Sequence, residues 1–451
     1  MNSASHQTNR ITEGVIWKQM LLYFFPLLLG SFFQQLYNTV DAVIVGRLVG
    51  KVALAAVGGS SAMIVSLFVG FFIGLSSGAT VTVAHLSGAR DEARLQKAVH
   101  TGMALAIAGG ALIMVLGFPT ARPALLLLDT PEDTMADSLL YLRIFYCGMI
   151  PNMIYNMGSG ILRTAGDSKK PLYVLIAGCI CNIVLDILLV TIVHLGVAGV
   201  ALATIISQTL SALLILYILT HTEEDYRISL RKIRFYGDSL KRMLKLGLPT
   251  GVESIMYTIS NLMIQTAING FDTDAVSAWA AYGKLDGIFW MVLQALGITV
   301  TTFVGQNYGA GKQKRMSRSI RTGLLTAILF SACLSAFFYT FCGQLYYLFT
   351  TDTAVVEIGV QMVRFLCPFY VVFVFVEIFA GSLRGMGETL YPMIITFSGT
   401  CLLRIIWLLT VVPRWHSIET VEASYPITWV ITAIMLTAFY LWFTRSKTAK
   451  L

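Results

Sequence analysis

Apolar runs of roughly 20 residues recur along the entire chain and alternate with short polar segments. A run of this length is long enough for one α-helix to cross the hydrocarbon core of a membrane. The pattern therefore predicts an all-α polytopic membrane protein. We place its twelve transmembrane helices at 16–45, 52–83, 97–119, 136–159, 171–193, 195–219, 243–268, 275–305, 320–344, 355–381, 391–412 and 425–443.

The two halves of the chain repeat each other. SGARDEARLQKAVHTG at 87–102 aligns without gaps to YGAGKQKRMSRSIRTG at 308–323, and GILRTAGDSKKP at 160–171 aligns at the same offset to GSLRGMGETLYP at 381–392. Six spans in each half leave both halves starting on the same side of the membrane. We therefore expect a parallel repeat, with a pseudo-two-fold axis near the membrane normal.

The repeat predicts two six-helix lobes joined by a linker. We assign 1–222 to an N-lobe with helices 1–6, 223–246 to a cytoplasmic linker, and 247–451 to a C-lobe with helices 7–12. A substrate site is expected between two such lobes, which can rock against each other. This arrangement favours a transporter over a channel or receptor. An enzyme has no support, because we find no phosphate loop, nucleophile–base constellation or metal-ligand spacing.

The distribution of charge agrees with a membrane protein. Only 12% of the residues are charged and 56% are hydrophobic, although the net charge is +8. With the N-terminus placed inside, 24 of the 32 Lys and Arg residues fall in inside segments and four in outside segments. The positive-inside rule then predicts that both termini are cytoplasmic. We expect a monomer in a bacterial or archaeal cytoplasmic membrane, with no nucleic-acid partner.

The stretch FFQQLYNTVDAVIVG places polar side chains inside the first span. Gln34, Tyr37, Asn38 and Asp41 share one helical face. An intramembrane carboxylate is costly and usually faces a bundle interior or a water-filled cavity. In the fifth span, Asn182 and Asp186 are one turn apart and share a face, and both carboxylates fall toward the external half.

Two such carboxylates allow two kinds of ion chemistry. In a poorly hydrated pocket they cannot easily both be ionised, so the pair would hold a proton. With amide and hydroxyl oxygens added, the same group would equally suit a small hard cation such as Na⁺, held by Asp41, Asn182 and Asp186. The alternative is a polar network that only fastens helices together.

Four features together resemble the MATE family, the multidrug and toxic compound extrusion transporters of the MOP flippase superfamily. They are P-x3-G-x3-QQLYN-x2-D-x4-G from Pro26 to Gly46, the doubled G-x-LR-x2-G-[DE]-x4-P, VGQNYGAGK at 304–312, and Asn182 and Asp186 followed by ALAT at 201–204. They extend over essentially the whole chain.

The resemblance implies a V-shaped pair of six-helix lobes that exports organic, often cationic or amphipathic, drugs in exchange for H⁺ or Na⁺, without a cofactor. It places the cation-coupling site at Asp41, Asn182, Asp186 and Thr204. A lipid-linked or amphipathic substrate carried by a flippase of the same superfamily is the alternative. Neither the drug nor the coupling ion follows from the sequence.

Other polar residues within the spans are candidates for further roles. Gln34, Tyr37, Asn38 and Asn156 are the predicted substrate contacts. Pro26 removes a backbone hydrogen bond, so a bend there is a predicted hinge that would move the polar face of span one.

The second lobe carries charges within its own spans. Glu253, Lys284, Asp286, Glu377 and Arg404 form either buried ion pairs, for example between Glu377 and Arg404, or a second cation or substrate site. Trp279, Tyr282 and Trp290 are candidates to line a cavity for flat cations. Arg163 and Arg384 are interpreted as turn and headgroup residues at cytoplasmic loop ends.

Overall fold

Helices form every regular element in residues 11–448, the part of the chain that the computed structural model describes. In this range π-helical turns occur at Val45–Val49, Leu188–Ile192 and Phe397–Leu402, and 3-10 turns at Leu230–Lys232 and Cys367–Phe369. The α-helices are α1 Ile16–Ile44, α2 Lys51–Gly58, α3 Ser60–Ala89, α4 Glu92–Leu127, α5 Glu132–Cys147, α6 Met149–Thr164, α7 Lys169–Ile187, α8 Gly196–His221, α9 Gly237–Ile268, α10 Thr273–Gly309, α11 Gln313–Tyr346, α12 Thr353–Leu366, α13 Tyr370–Gly385, α14 Leu390–Thr396, α15 Leu403–Thr410 and α16 Ile418–Thr448.

The helices confirm the predicted all-α transmembrane architecture. Within residues 11–448, ten helical stretches are long and apolar enough to cross a membrane. The fourth predicted span is absent from these ten because it is broken at Gly148 into α5 and α6, each of 16 residues. The seventh corresponds to α9, which is 32 residues long but more polar, since it carries Glu253, Asn261 and Gln265. These two complete the layout of twelve spans.

The described chain divides into two compact units. The first unit holds Leu22–Gly251, and the second holds Ile11–Leu21 together with the described residues from Val252 onward. Helices α1 and α9 therefore each contribute residues to both units. The segment 223–246, predicted as a linker, lies in the first unit. The lobe boundaries given above stay a prediction.

In the first unit, α6 packs between α4 and α8. The contact is made by fully buried apolar side chains, including Met103 on α4, Met157 on α6 and Ile215 on α8. Glycines allow the closest helix contacts. A Cβ atom at Gly78 on α3 would lie 2.8 Å from the Cα of Gly247 on α9. The helices meet backbone to backbone there, as small residues permit in membrane proteins.

In the second unit, α13 packs between α10 and α16. Aromatic rings fill this core. Phe289 on α10 stacks on Tyr370 on α13 with centroids 3.9 Å apart, and the fully buried Trp429 on α16 meets Phe373 edge to face at 5.4 Å. Burial of such large rings contributes most of the apolar contact area in a core of this kind.

Candidate cation site and charged clusters

The two predicted coupling carboxylates occupy equivalent positions in their helices. Asp41 lies near the end of α1, shortly before the π turn Val45–Val49, and Asp186 lies near the end of α7, shortly before the π turn Leu188–Ile192. The two π turns contact each other. Isolated π turns within α-helices occur frequently at functional sites.

The structure brings Asp41 and Asp186 together. Their carboxyl groups lie near each other and near the hydroxyl of Tyr37. The hydroxyl of Tyr37 donates to Oγ1 of Thr204 at 3.4 Å, and Thr204 in turn donates to the carbonyl of Val200 at 3.1 Å. Helices α1, α7 and α8 therefore each place polar groups at one site within the first unit.

Several polar atoms of this site lack hydrogen-bond partners. Asp186 and Asn182 are completely buried, yet neither carboxylate oxygen of Asp186 and neither amide atom of Asn182 has a partner in the part of the chain described; the same holds for Oδ1 of Asp41. An unpaired polar group costs free energy when it is buried, and an unpaired charge costs more. The site therefore suits an additional bound species that neutralises or coordinates these oxygens.

The donor set is one of oxygens. It consists of two carboxylates, the side-chain carbonyl of Asn182 and the hydroxyls of Tyr37 and Thr204. These are ligands for a proton or for a hard cation. Such chemistry fits the prediction of Na⁺ at Asp41, Asn182 and Asp186 as well as it fits H⁺. The role of these residues stays a prediction.

Two residues near this site were missed by sequence reasoning. Tyr141 on α5 is buried close to both Asp41 and Asp186, with its ring stacked on Phe145 at 6.0 Å. Gln208 follows Thr204 by one turn on α8, and its buried Oε1 has no partner within residues 11–448. A lone Tyr or Gln in an apolar span was the only available signal, and many residues share it.

Among the predicted substrate contacts, Tyr37 lies beside the carboxylates. Gln34 and Asn38 are exposed on α1. Asn156 on α6 is half-buried and donates to the backbone and side-chain oxygens of Asn152 at 2.9 and 3.0 Å. Their part in substrate binding stays a prediction.

Asp286 is at the centre of the first charged cluster of the second unit. Its carboxylate accepts hydrogen bonds from Tyr370 at 2.8 Å, from Trp290 at 2.7 Å and from Tyr282 at 3.2 Å. Arg404 is buried nearby, with its guanidinium 4.2 Å from the centre of the Tyr425 ring. Two of the aromatic residues predicted to line a cavity, Tyr282 and Trp290, thus donate to this carboxylate, and the cavity itself stays a prediction.

Arg384 is at the centre of the second charged cluster. It donates to Glu377 at 3.2 Å and to Glu253 at 3.5 Å. The interpretation of Arg384 as a headgroup residue was therefore wrong. The suggested pairing of Glu377 with Arg404 was also wrong, because Arg384 lies two turns after Glu377 on the same face of α13 and reaches back along its own helix. Lys284 is exposed and joins neither cluster.

Comparisons with known proteins identify the family of the chain. The sequence model of the MatE family matches residues 26–188 and 249–409, one stretch in each half of the repeat. The chain is 26% identical to the "Probable multidrug resistance protein YoeA" of Bacillus subtilis, over 98% of this chain and 96% of that protein. It is 24% identical to the "FAD transporter" of Shewanella oneidensis, over 77% of each.

Solved structures show the same fold. A structure described as the outward-facing conformation of a multidrug resistance MATE family transporter of the MOP superfamily superposes with a TM-score of 0.88, at 23% identity, over 98% of both chains. Family match, repeat and fold agree with the resemblance drawn from the motifs. The chain belongs to the MatE family of transporters.

Proposed function

We propose that this protein exports organic, often cationic compounds across a bacterial cytoplasmic membrane in exchange for H⁺ or Na⁺, by alternating access. The observation that carries the proposal is the pair formed by the half-buried Asp41 and the buried Asp186, since three of its four carboxylate oxygens are buried without a partner in the described structure. A relative named as a probable multidrug resistance protein supports organic drugs as the substrate class.

The coupling ion would act by neutralising the carboxylate pair. Without it, two adjacent charges repel each other and leave buried oxygens unsatisfied. A proton bound between Asp41 and Asp186, or a Na⁺ that also takes the side-chain oxygen of Asn182, would remove that repulsion and hold α1 against α7. Ion binding can shift the transporter between states only if the ion binds one of them more tightly.

Pro26 would let α1 respond to this change. It lies inside α1, where it leaves the carbonyl of Leu22 without its usual helical donor. The division between the two units falls at Leu21 and Leu22. Pro249 has a similar position in α9, shortly before the division at Gly251 and Val252. A hinge at Pro26 would move Gln34 to Asp41 as one segment.

The charged clusters of the second unit fit a structural role better than a second ion site. Asp286 already accepts three hydrogen bonds, and Arg384 already binds two carboxylates. A further ion would have to displace these partners. Glu253, Asp286, Glu377 and Arg404 are therefore proposed to stabilise the helix packing. Cytoplasmic termini and a monomeric state remain part of the same proposal.

Transport in everted vesicles tests the proposal. Efflux of a fluorescent organic cation would be driven separately by an imposed pH gradient and by a Na⁺ gradient. We expect one gradient to drive transport by the wild type, and neither to drive it in D41N or D186N. D133N is the matched control, since it makes the same change at an exposed carboxylate. Gradient-driven efflux at the wild-type rate by both variants would overturn the coupling role.

A second candidate is the transport of an amphipathic, phosphate-bearing substrate. The relative named as a FAD transporter is the observation in its favour. The same vesicles, supplied with FAD in place of the organic cation, test it. Gradient-dependent movement of FAD but not of the cation would favour this candidate over drug efflux.

A further inference from the structure

The segment between α8 and α9 is folded against α4 in the first unit. The backbone N–H of Ser229 donates to Nε2 of His100 at 3.0 Å, and that of Tyr236 donates to Oγ1 of Thr101 at 3.2 Å. Ile228, within the segment, is buried. Two hydrogen bonds and an apolar anchor therefore fix its backbone on α4.

His100 contributes no charge to this region. Its Nε2 accepts the hydrogen bond from Ser229, so Nδ1 must carry the proton that is donated to the carbonyl of Gln96 at 2.6 Å. The imidazole is therefore neutral. The positive charge here comes entirely from Lys and Arg side chains.

A cleft of about 440 Å³ lies between the segment and α4. Four cationic side chains and no carboxylate are among the described residues that line it. None of the four has a carboxylate partner within residues 11–448, and the guanidinium of Arg234 rests on the Tyr236 ring at 4.8 Å. The acidic residues at 223–225 lie outside the lining. The lining residues are Ala93, Gln96, Lys97, His100, Arg231, Lys232, Arg234 and Tyr236.

Four positive charges around one cleft favour the binding of an anion. Arg guanidinium groups suit phosphate in particular, because their planar N–H groups match its oxygens in pairs. Two large apolar side chains flank the cationic run: Leu230 is 61% exposed and Phe235 is 49% exposed. Exposed apolar residues beside a basic cluster are typical of a segment that lies in a membrane interface.

We propose that this cleft binds the phosphate groups of an anionic phospholipid, with Leu230 and Phe235 in the membrane interface. Its location agrees, because the cleft lies beside the first turns of α4, at the end of a span that we predict to be cytoplasmic. Basic clefts at this level of a membrane protein bind anionic headgroups. Because the same segment connects α8 to α9, the bound lipid would hold it against α4.

Lipid binding to the purified full-length protein tests the proposal without reference to transport. The protein would be reconstituted in nanodiscs of phosphatidylcholine alone or with added cardiolipin, and bound cardiolipin counted by native mass spectrometry after release. R231Q/K232Q/R234Q should bind cardiolipin on the order of a hundredfold more weakly than the wild type, at about 1 kcal/mol per charge removed. The control K314Q/R318Q/R321Q removes three exposed charges from α11 and should bind as the wild type does.

Two further variants test the cleft independently of the triple variant. K97Q changes one exposed side chain on α4 and should weaken cardiolipin binding severalfold, even if the triple variant fails to fold. L230S/F235S should weaken cardiolipin binding but leave binding of inorganic pyrophosphate, titrated in phosphatidylcholine nanodiscs, unchanged. Equal losses in the two triple variants would overturn the site. If pyrophosphate binds at least as tightly as cardiolipin, the natural ligand of the cleft is a free phosphate compound and not a lipid.

Discussion

Asp186 in the first unit and the acids of the two charged clusters in the second unit are buried in opposite ways. In the first unit, Asp186 is completely buried and neither of its carboxylate oxygens has a partner in the described chain. In the second unit, Asp286 accepts three hydrogen bonds, and Arg384 binds both Glu253 and Glu377. On this basis we propose that Asp186 binds an ion and that Asp286, Glu253 and Glu377 stabilise the fold. The difference separates the candidate coupling site from the structural clusters.

The largest effect is expected at Asp186. D186N should reduce ion-driven efflux to the level of vesicles without the protein, because the amide can neither release a proton nor balance the charge of Na⁺. The melting temperature in detergent should not fall, since the substitution removes a buried charge that lacks a partner. A loss of efflux accompanied by a large fall in Tm would indicate that Asp186 has a structural role, as we propose for Asp286.

Removal of the Arg384 charge should cause the next largest effect. R384Q leaves Glu253 and Glu377 facing each other without a cation, which should destabilise the protein by about 3–5 kcal/mol. Denaturation of purified R384Q in mild detergent would measure this loss. The double variant R384Q/E377Q should recover part of it, because one of the two uncompensated charges is gone. No recovery would show that the pair is not energetically coupled.

A smaller loss is expected at Asp286. D286N keeps the shape of the side chain but removes the charge that strengthens the bonds from Tyr370, Trp290 and Tyr282, so it should destabilise the protein by about 2 kcal/mol. D286N and D186N make the same chemical change at buried acids of the two units. Equal Tm values for the two variants would show that Asp186 and Asp286 do not differ in their contribution to stability.

The smallest effect is expected at Tyr37. Y37F removes the hydroxyl that donates to Thr204 but leaves both carboxylates in place. The affinity for the coupling ion should fall by about fivefold, corresponding to about 1 kcal/mol for one hydrogen bond. The ion concentration that gives half-maximal efflux measures this shift. An unchanged value would place the hydroxyl of Tyr37 outside the ion site.

Most of the fold followed from the sequence because each of its signals is local. Apolar length predicted the spans, and a polar face within an apolar helix singled out Asp41. The contact between Asp41 and Asp186 was expected only through the family resemblance, since the two residues lie in different helices. The family also placed Thr204 at the site. Its bond from Tyr37 became visible only in the structure.

The partners of charged groups were harder to predict. Arg384 was assigned to a loop end from its position in a motif, whereas the structure pairs it with Glu377 on its own helix and with Glu253 on another. Gln208 and Tyr141 carry no pattern that separates them from other polar residues in apolar spans. The break at Gly148 likewise depends on packing, because the Cβ of another residue there would lie 2.4 Å from a methyl carbon of Ile205.

The π turns after Asp41 and Asp186 have a consequence for sequence alignment. A π turn bonds residue i to i+5 rather than i+4, so it contains one residue more than the α turn it replaces. Side chains beyond it are rotated by about 100° relative to an uninterrupted helix. A helical wheel drawn from Gln34 through Asp41 therefore loses its register after Val45. Alignment with a relative that lacks either turn requires a one-residue gap just past the carboxylate.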